Sequence, residues 1–186
     1  VNLFKLVYAA LKFSPGRRGI VSENMNFPTD LYILQGLADV FNQQHEIKLL
    51  GKPGDIRPDE DELYSLLNSE TALLTLSHVN YRSSYLYNMK EVNEKAHAAG
   101  VLTIWDLSHS VGSVPVDLRT DGADMAVGCG YKYLNGGPGA PAFIYVRRAL
   151  QNKLVSPVWG WFGDEKPFEF NTEYSQAKGI RKFLSG

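Results

Sequence analysis

The run Ala72-Leu73-Leu74-Thr75-Leu76-Ser77-His78-Val79, a helical period over residues 89–99 closed by Gly100, and then Val101-Leu102-Thr103-Ile104-Trp105-Asp106 decide the fold of this chain. Neither apolar run alternates with polar residues, as a strand with one wet face would. Both read as strands covered on two sides. A glycine just past a helical period suits the left-handed residue that ends a helix. Strand, helix and strand in this order make a βαβ unit, which places the two strands side by side and parallel.

The alternation continues on both sides of that unit. Residues 19–22 form a short strand candidate. Residues 28–43 carry Leu31, Leu34, Leu37, Val40 and Phe41 at helical spacing, with Pro28 suited to a first turn. Residues 47–50 read as a strand. Residues 58–67 read as a helix whose first turn holds Asp59, Glu60, Asp61 and Glu62, the charge a helix amino end favours. An opening helix starts at Val1, and further strands are expected at 123–129 and 142–146. The fold class is therefore α/β, a mainly parallel sheet with helices on both faces. Residues 157–179, rich in aromatics and glycine, are expected to lie over the surface as an ordered loop. Ligands of such sheets bind at the carboxyl ends of the strands. The polar residues there are Ser77, His78, Asp106, His109 and Lys132.

Composition bounds the function. The chain has 186 residues, 44% hydrophobic and 21% charged, with a net charge of -1. That length suits one sizeable core, and near-zero charge supplies no attraction for nucleic acid or an anionic membrane. No apolar run approaches the roughly 20 residues of a membrane span. One cysteine, Cys129, cannot form an internal disulfide and suits a reducing compartment, so a cytoplasmic location is expected. Val1 opens directly into an apolar helical run with no cap, and no closing element follows residues 180–186. The chain is expected to be a piece of a longer protein, one domain over 1–186.

The chemistry is concentrated in Cys129-Gly130-Tyr131-Lys132-Tyr133-Leu134-Asn135-Gly136-Gly137-Pro138-Gly139. Lys132 lies 26 residues after Asp106. Alone, Asp106 reads as the cap of a following helix and Lys132 as a surface lysine. Together, after buried strands, they are what pyridoxal phosphate (PLP) requires. The amine forms a Schiff base with the aldehyde, and the carboxylate keeps the pyridine nitrogen protonated. A lysine in this role must be partly desolvated, and Tyr131, Tyr133 and Leu134 could supply that environment. His109, three residues after Asp106, is either a hydrogen-bonded histidine beneath the site or a ring near the cofactor. Ligand spacing for a metal is absent. Asn26-Phe27-Pro28-Thr29-Asp30 opens a helix; Phe27 is either a hydrophobic staple or a ring stacked on a flat cofactor. Gly136-Gly137-Pro138-Gly139 lacks phosphate-loop spacing and reads as a turn that lets backbone pack behind Lys132. Trp159-Gly160-Trp161-Phe162-Gly163 is either surface packing or an indole donor to a ligand or a neighbouring subunit. Cys129 reads as a small buried residue. The absence of G-x-S-x-G removes a serine hydrolase of the α/β type.

Five segments, in order and spacing, resemble the kynureninase family. They are Asn26-Phe27-Pro28-Thr29-Asp30-Leu31-Tyr32, Thr75-Leu76-Ser77-His78-Val79-Asn80-Tyr81, Ile104-Trp105-Asp106-Leu107-Ser108-His109, Tyr131 through Gly139, and Gly160-Trp161-Phe162-Gly163. The Asp-to-Lys pair alone marks the broader fold type I PLP enzymes. The resemblance implies that Lys132 holds PLP, Asp106 pairs with its ring nitrogen and Phe27 stacks on the ring. Pro28, Thr29 and Asp30 would help to hold the cofactor. Ser77, His109 and Tyr131 would line its pocket, with Tyr131 also serving proton transfer. Trp161 would reach the phosphate from the partner subunit of a homodimer.

The implied reaction is hydrolysis of the Cβ–Cγ bond of L-kynurenine, or 3-hydroxykynurenine, to anthranilate, or 3-hydroxyanthranilate, and L-alanine, in tryptophan breakdown. Ser83-Ser84 stand where many relatives have Thr-Gly, so the turn there is expected to differ. The family's phosphate-binding residues before Val1, its pocket residue after Gly186 and its small C-terminal domain lie outside the sequence. The alternatives are another fold type I enzyme, a cysteine desulfurase or a class V aminotransferase, and a truncated module without turnover. A desulfurase needs a mobile nucleophilic cysteine, for which Cys129 is poorly placed.

Overall fold

A computed structural model describes residues 1–185. Its centre is a six-stranded sheet of β1 (Gly19–Glu23), β2 (Glu46–Leu50), β3 (Thr71–Ser77), β4 (Leu102–Asp106), β5 (Met125–Cys129) and β6 (Ala142–Val146), in the spatial order β2-β1-β3-β4-β5-β6. The first five run parallel. β6 returns antiparallel, with Met125 opposite Val146 and Cys129 opposite Ala142. Its connection, residues 130–141, contains turns and no helix. Parallel neighbours usually need a helical crossover, so this short turn-built link reverses the chain instead.

The helices cover both faces as expected. Ile20, Leu73, Leu102, Ile104, Met125 and Val127 turn to one face, against α1 (Asn2–Phe13) and α2 (Pro28–Val40). Val21, Leu74, Leu76, Trp105 and Ala126 turn to the other, against α3 (Glu60–Ser65) and α4 (Met89–Ala98). Successive residues of a strand point to opposite faces, which is why unbroken apolar runs serve both cores. Gly100 has φ +69° and ends α4 as anticipated.

Several boundaries differ from expectation. α2 stops at Val40 rather than 43, because Asn42 and Gln43 take left-handed φ of 53° and 56° with no glycine to announce it. α3 is a short helix starting after Asp59, whose side chain accepts from the amides of Asp61 and Glu62. β3 ends at Ser77, since the chain bends at His78 and Val79 pairs with Leu86 in an isolated antiparallel bridge. A short α5 (Arg148–Gln151) had no periodic signal. The aromatic segment after it carries 3₁₀ turns at Trp161–Gly163, Pro167–Glu169 and Gly179–Phe183.

Candidate active site at the carboxyl ends of the strands

The carboxyl ends of β1, β3, β4 and β5 each deliver a loop to one edge of the sheet. Asn26 organises the first two. Its Oδ1 accepts from the Ser77 hydroxyl at 2.8 Å and from the Phe27 amide at 2.8 Å, while its Nδ2 donates to Ser22 Oγ at 3.2 Å. Ser77 thus spends its proton on fixing the loop that carries Phe27. Pro28 occupies the first turn of α2, as its fixed φ allows. Thr29 is exposed with no side-chain hydrogen bond, and Phe27 leaves much of its ring open.

β4 ends on Asp106, 8% exposed. Its Oδ1 accepts from the Ser108 amide at 2.8 Å and the Ser108 hydroxyl at 2.6 Å. Among the described residues no hydrogen bond reaches Oδ2. His109 follows, half-buried, with Nε2 3.0 Å from Lys132 Nζ. The Lys132 ammonium also stands 5.7 Å from the Phe27 ring centre and 5.6 Å from that of Tyr131, within cation–π range. The apolar jacket expected from Tyr131, Tyr133 and Leu134 is incomplete, since all three are about half exposed. Phe27 and Tyr131 rings, and the neighbouring His109, provide the closer surroundings.

Two glycines seat this lysine. Gly112 has φ +84°, and a Cβ there would lie 2.5 Å from the Tyr133 carbonyl oxygen. Only a glycine lets the turn after β4 touch the backbone beside Lys132. A Cβ on Gly136 would lie 2.6 Å from Ala140 Cβ, while its amide donates to the Gly130 carbonyl at 2.9 Å. The close packing expected behind Lys132 is therefore present.

Electrostatics tie the carboxylates to the amine. Burial, then repulsion from Asp106, pushes the Asp30 carboxyl up to about 7, against the opposing pull of Lys132. Asp30 Oδ2 is sealed from solvent and has no hydrogen-bond partner among the described residues. Burial, then the Lys132 charge, lowers the His109 pKa, so the imidazole is neutral at pH 7 and accepts the lysine's hydrogen bond at Nε2.

The structure gathers Phe27, Asp30, Ser77, Asp106, His109, Tyr131 and Lys132 at one edge. It does not bring Trp161 there. That indole packs against Phe162, Phe168 and Phe170, and its Nε1 donates to the Pro167 carbonyl. Asn26, Ser108, Gly112 and Tyr81 were missed as site-builders. The sequence held partial signals for them: an Asn before the helix start, a serine two residues after the strand-end aspartate, and an aromatic just past β3. The turn at Ser83-Ser84 has a left-handed corner, with φ +59° at Ser84, a conformation glycine would adopt without strain.

The arrangement passes a test of fit for PLP. A flat ring could lie on the open face of Phe27, a protonated ring nitrogen could meet the free Oδ2 of Asp106, and an amine stands ready at Lys132. These features define the class: the fold and site of a fold type I protein. Residues 2–186 match the family described as aminotransferase class-V, and the chain belongs to that family. It is similar to the kynureninase of Pseudomonas fluorescens, with 45% identity over 190 residues, and to that of Burkholderia pseudomallei strain K96243, with 47%. Each alignment covers 100% of this chain and 44% of the relative, so the chain spans less than half the length of those curated proteins. Among solved structures it resembles the cysteine desulfurase of Thermococcus onnurineus NA1, with a TM-score of 0.82 and 19% identity over 99% of this chain and 45% of that one. The Escherichia coli desulfurase CsdA gives 0.81 and 18% over 100% and 45%. At that identity the likeness carries the fold alone.

Proposed function

We propose that the full-length protein is a PLP-dependent hydrolase that cleaves the Cβ–Cγ bond of L-kynurenine or 3-hydroxykynurenine, giving anthranilate or 3-hydroxyanthranilate and L-alanine. One observation carries the reading. Lys132, Asp106, His109 and Phe27 converge at a strand-end edge in a chain 45–47% identical, along its whole length, to kynureninases.

Lys132, Asp106, Phe27 and His109 would hold the cofactor, with Asp30, Ser77 and Tyr131 beside it. When bound, PLP supplies an electron sink for the substrate's Cα. The protein's own groups then handle protons and position. Asp106 keeps a fixed negative charge where the ring nitrogen must stay protonated. Lys132 Nζ would take and return the proton at the substrate's Cα. His109 Nε2 keeps that amine oriented by accepting its hydrogen bond. Tyr131, whose ring centre lies 5.6 Å from Lys132 Nζ, would supply a second proton donor. Phe27 excludes water from one face.

The protein is read as a cytoplasmic homodimer with shared sites. Support comes from Trp161, which is half exposed and set in an aromatic cluster away from its own Lys132. It would serve the neighbouring subunit. The single free cysteine fits a reducing compartment. Among the described residues no helix is long and apolar enough to cross a membrane.

Cys129 is poorly placed to serve as the nucleophile of a desulfurase. The residue is paired with Ala142 inside the β5–β6 ladder, so its thiol has none of the mobility that chemistry demands. The test is direct. Full-length protein with PLP should release fluorescent anthranilate from kynurenine, and Lys132→Ala should abolish that release. Alanine from cysteine, with the sulfur left as a protein persulfide or released as sulfide by an added thiol reductant, and no anthranilate from kynurenine, would overturn the reading.

A further inference from the structure

Two walls of this site come from different loops. Phe27 stands at the entry to α2, and His109 follows β4. No ring contact joins them directly among the described residues. Among the described residues one aromatic ring meets both. Tyr81, from the loop after β3, meets the Phe27 ring edge to face at 5.3 Å and 81°, and lies 6.3 Å from the His109 ring, tilted by 31°.

Tyr81 is rigidly mounted. Asn80, 1% exposed, donates from Nδ2 to the Met25 carbonyl at 3.0 Å, and its Oδ1 accepts from the amides of Arg82 and Ser83 at 2.9 and 3.1 Å. The Ser84 amide donates to the Asn80 carbonyl, and the Asn80 amide donates to the Tyr85 carbonyl, each at 2.9 Å. One buried asparagine therefore closes the Tyr81 loop and ties it to the segment that presents Phe27. The Tyr81 hydroxyl has no hydrogen-bond partner among the described residues, so its ring makes the contacts.

We propose that Tyr81 is a positioning residue of the site: its ring spans Phe27 and His109 and fixes these two walls relative to each other and to Lys132. Offset and edge-on aromatic pairs have preferred geometries, and two such contacts on one anchored ring restrict both neighbours. The ring also shields the His109 imidazole from water. His109 has Lys132 and Asp106 as charged neighbours and Tyr133 as its other ring contact, at 6.3 Å. Loss of the Tyr81 ring would let water reach the imidazole and free its rotation. The cofactor arm of the test rests on the PLP reading above; the histidine arm does not.

The experiment uses full-length protein freed of PLP, as wild type, Tyr81→Phe and Tyr81→Leu, each checked for native melting. Imidazole-nitrogen NMR follows the His109 titration, assigned by the signal lost in His109→Gln. Tyr81→Leu should move the His109 midpoint up toward that of an ordinary histidine, and Tyr81→Phe should leave it at the wild-type position. On titration with PLP, Tyr81→Leu should bind roughly tenfold more weakly and Tyr81→Phe within about twofold of wild type. If Tyr81→Leu does not fold, Tyr81→Met takes its place. An unmoved His109 midpoint in the non-aromatic variant overturns the proposal, as does a Tyr81→Phe that behaves like it. Wild-type protein that takes up no PLP would refute the cofactor reading, while the histidine arm would still decide the role of Tyr81.

Discussion

Asp106 and Asp124 are buried aspartates at opposite ends of the same pair of strands, and they are treated in opposite ways. Asp124, fully buried just before β5, is met on both oxygens. Oδ2 lies 2.9 Å from His97 Nε2 and accepts from the Thr103 amide at 3.0 Å. Oδ1 faces Arg147 Nη2 at 2.8 Å, an ion pair by distance although off hydrogen-bond alignment. Three elements thus converge on one carboxylate: α4, β4 and the residue after β6. Asp106 receives only its near neighbour Ser108, on one oxygen. The closest site cation, Lys132, is hydrogen-bonded to His109 instead. A buried charge is normally matched, because an unmatched one is costly. The aspartate with a charged or polar partner facing each oxygen is a structural clamp, and the one with an oxygen to spare marks the place for a ligand.

The largest effect should separate the two aspartates by activity. Asp106→Asn in the full-length protein keeps an oxygen for the Ser108 amide but loses the fixed charge. Kynurenine cleavage should fall on the order of 100- to 1,000-fold, the usual cost of removing one preorganised electrostatic partner. The melting temperature should hardly move. Activity within tenfold of wild type would break the comparison.

The reverse is expected at the other end. Asp124→Asn leaves the Arg147 guanidinium unmatched and weakens the bond to Thr103. Removing one partner of a fully buried pair costs about 3–5 kcal/mol, and because Arg147 is partly exposed, a loss of about 2–3 kcal/mol is expected here. Urea unfolding measures that loss. Turnover per folded molecule should stay within about twofold of wild type, and a large drop in turnover would show that Asp124 is more than a clamp.

The contrast was only half legible in the sequence. Asp106 closes an obvious apolar strand, and Lys132 follows in a glycine-rich turn, so local pattern exposed both. Asp124 reads as any polar residue before a strand, because its partners His97, Thr103 and Arg147 are brought to it by α4, β4 and the return of β6. Periodicity tells which face a residue occupies and not which residue stands opposite. The same limit hid Asn26 and Tyr81, whose importance lies in contacts to Ser77, Phe27 and His109 across loops. It also hid the reversal of β6, since an apolar run has no direction. Strand and helix centres were legible because they rest on local apolar spacing. The early end of α2 was not, because Asn42 and Gln43 adopt left-handed backbone without a glycine.

A third buried carboxylate sharpens the rule with a smaller effect. Glu23 ends β1 at 1% exposure. Its Oε2 accepts from the Tyr87 hydroxyl at 2.9 Å, and Oε1 is buried with no partner. Burial raises its pKa from 4.5 to about 7, with the Tyr87 bond opposing. Glu23 has neither the cation of Asp124 nor the opening of Asp106, and so favours its neutral form in the fold. An acid whose folded pKa is raised binds its proton more tightly in the native state. Its contribution to stability is complete below the unfolded value of 4.5 and is lost as pH rises through about 7. The full shift corresponds to about 3 kcal/mol, and local relaxation should reduce what is measured to about 1–2 kcal/mol between pH 5 and pH 8. Glu23→Gln, which keeps an acceptor for Tyr87 and cannot ionise, should match wild type at pH 5 and exceed it by that amount at pH 8. Asp30 titrates in the same window, with its carboxyl also near 7, so the variant should flatten the pH dependence without abolishing it. Equal urea midpoints for the two proteins at pH 8 would show that Glu23 stays ionised and that its free oxygen finds compensation elsewhere.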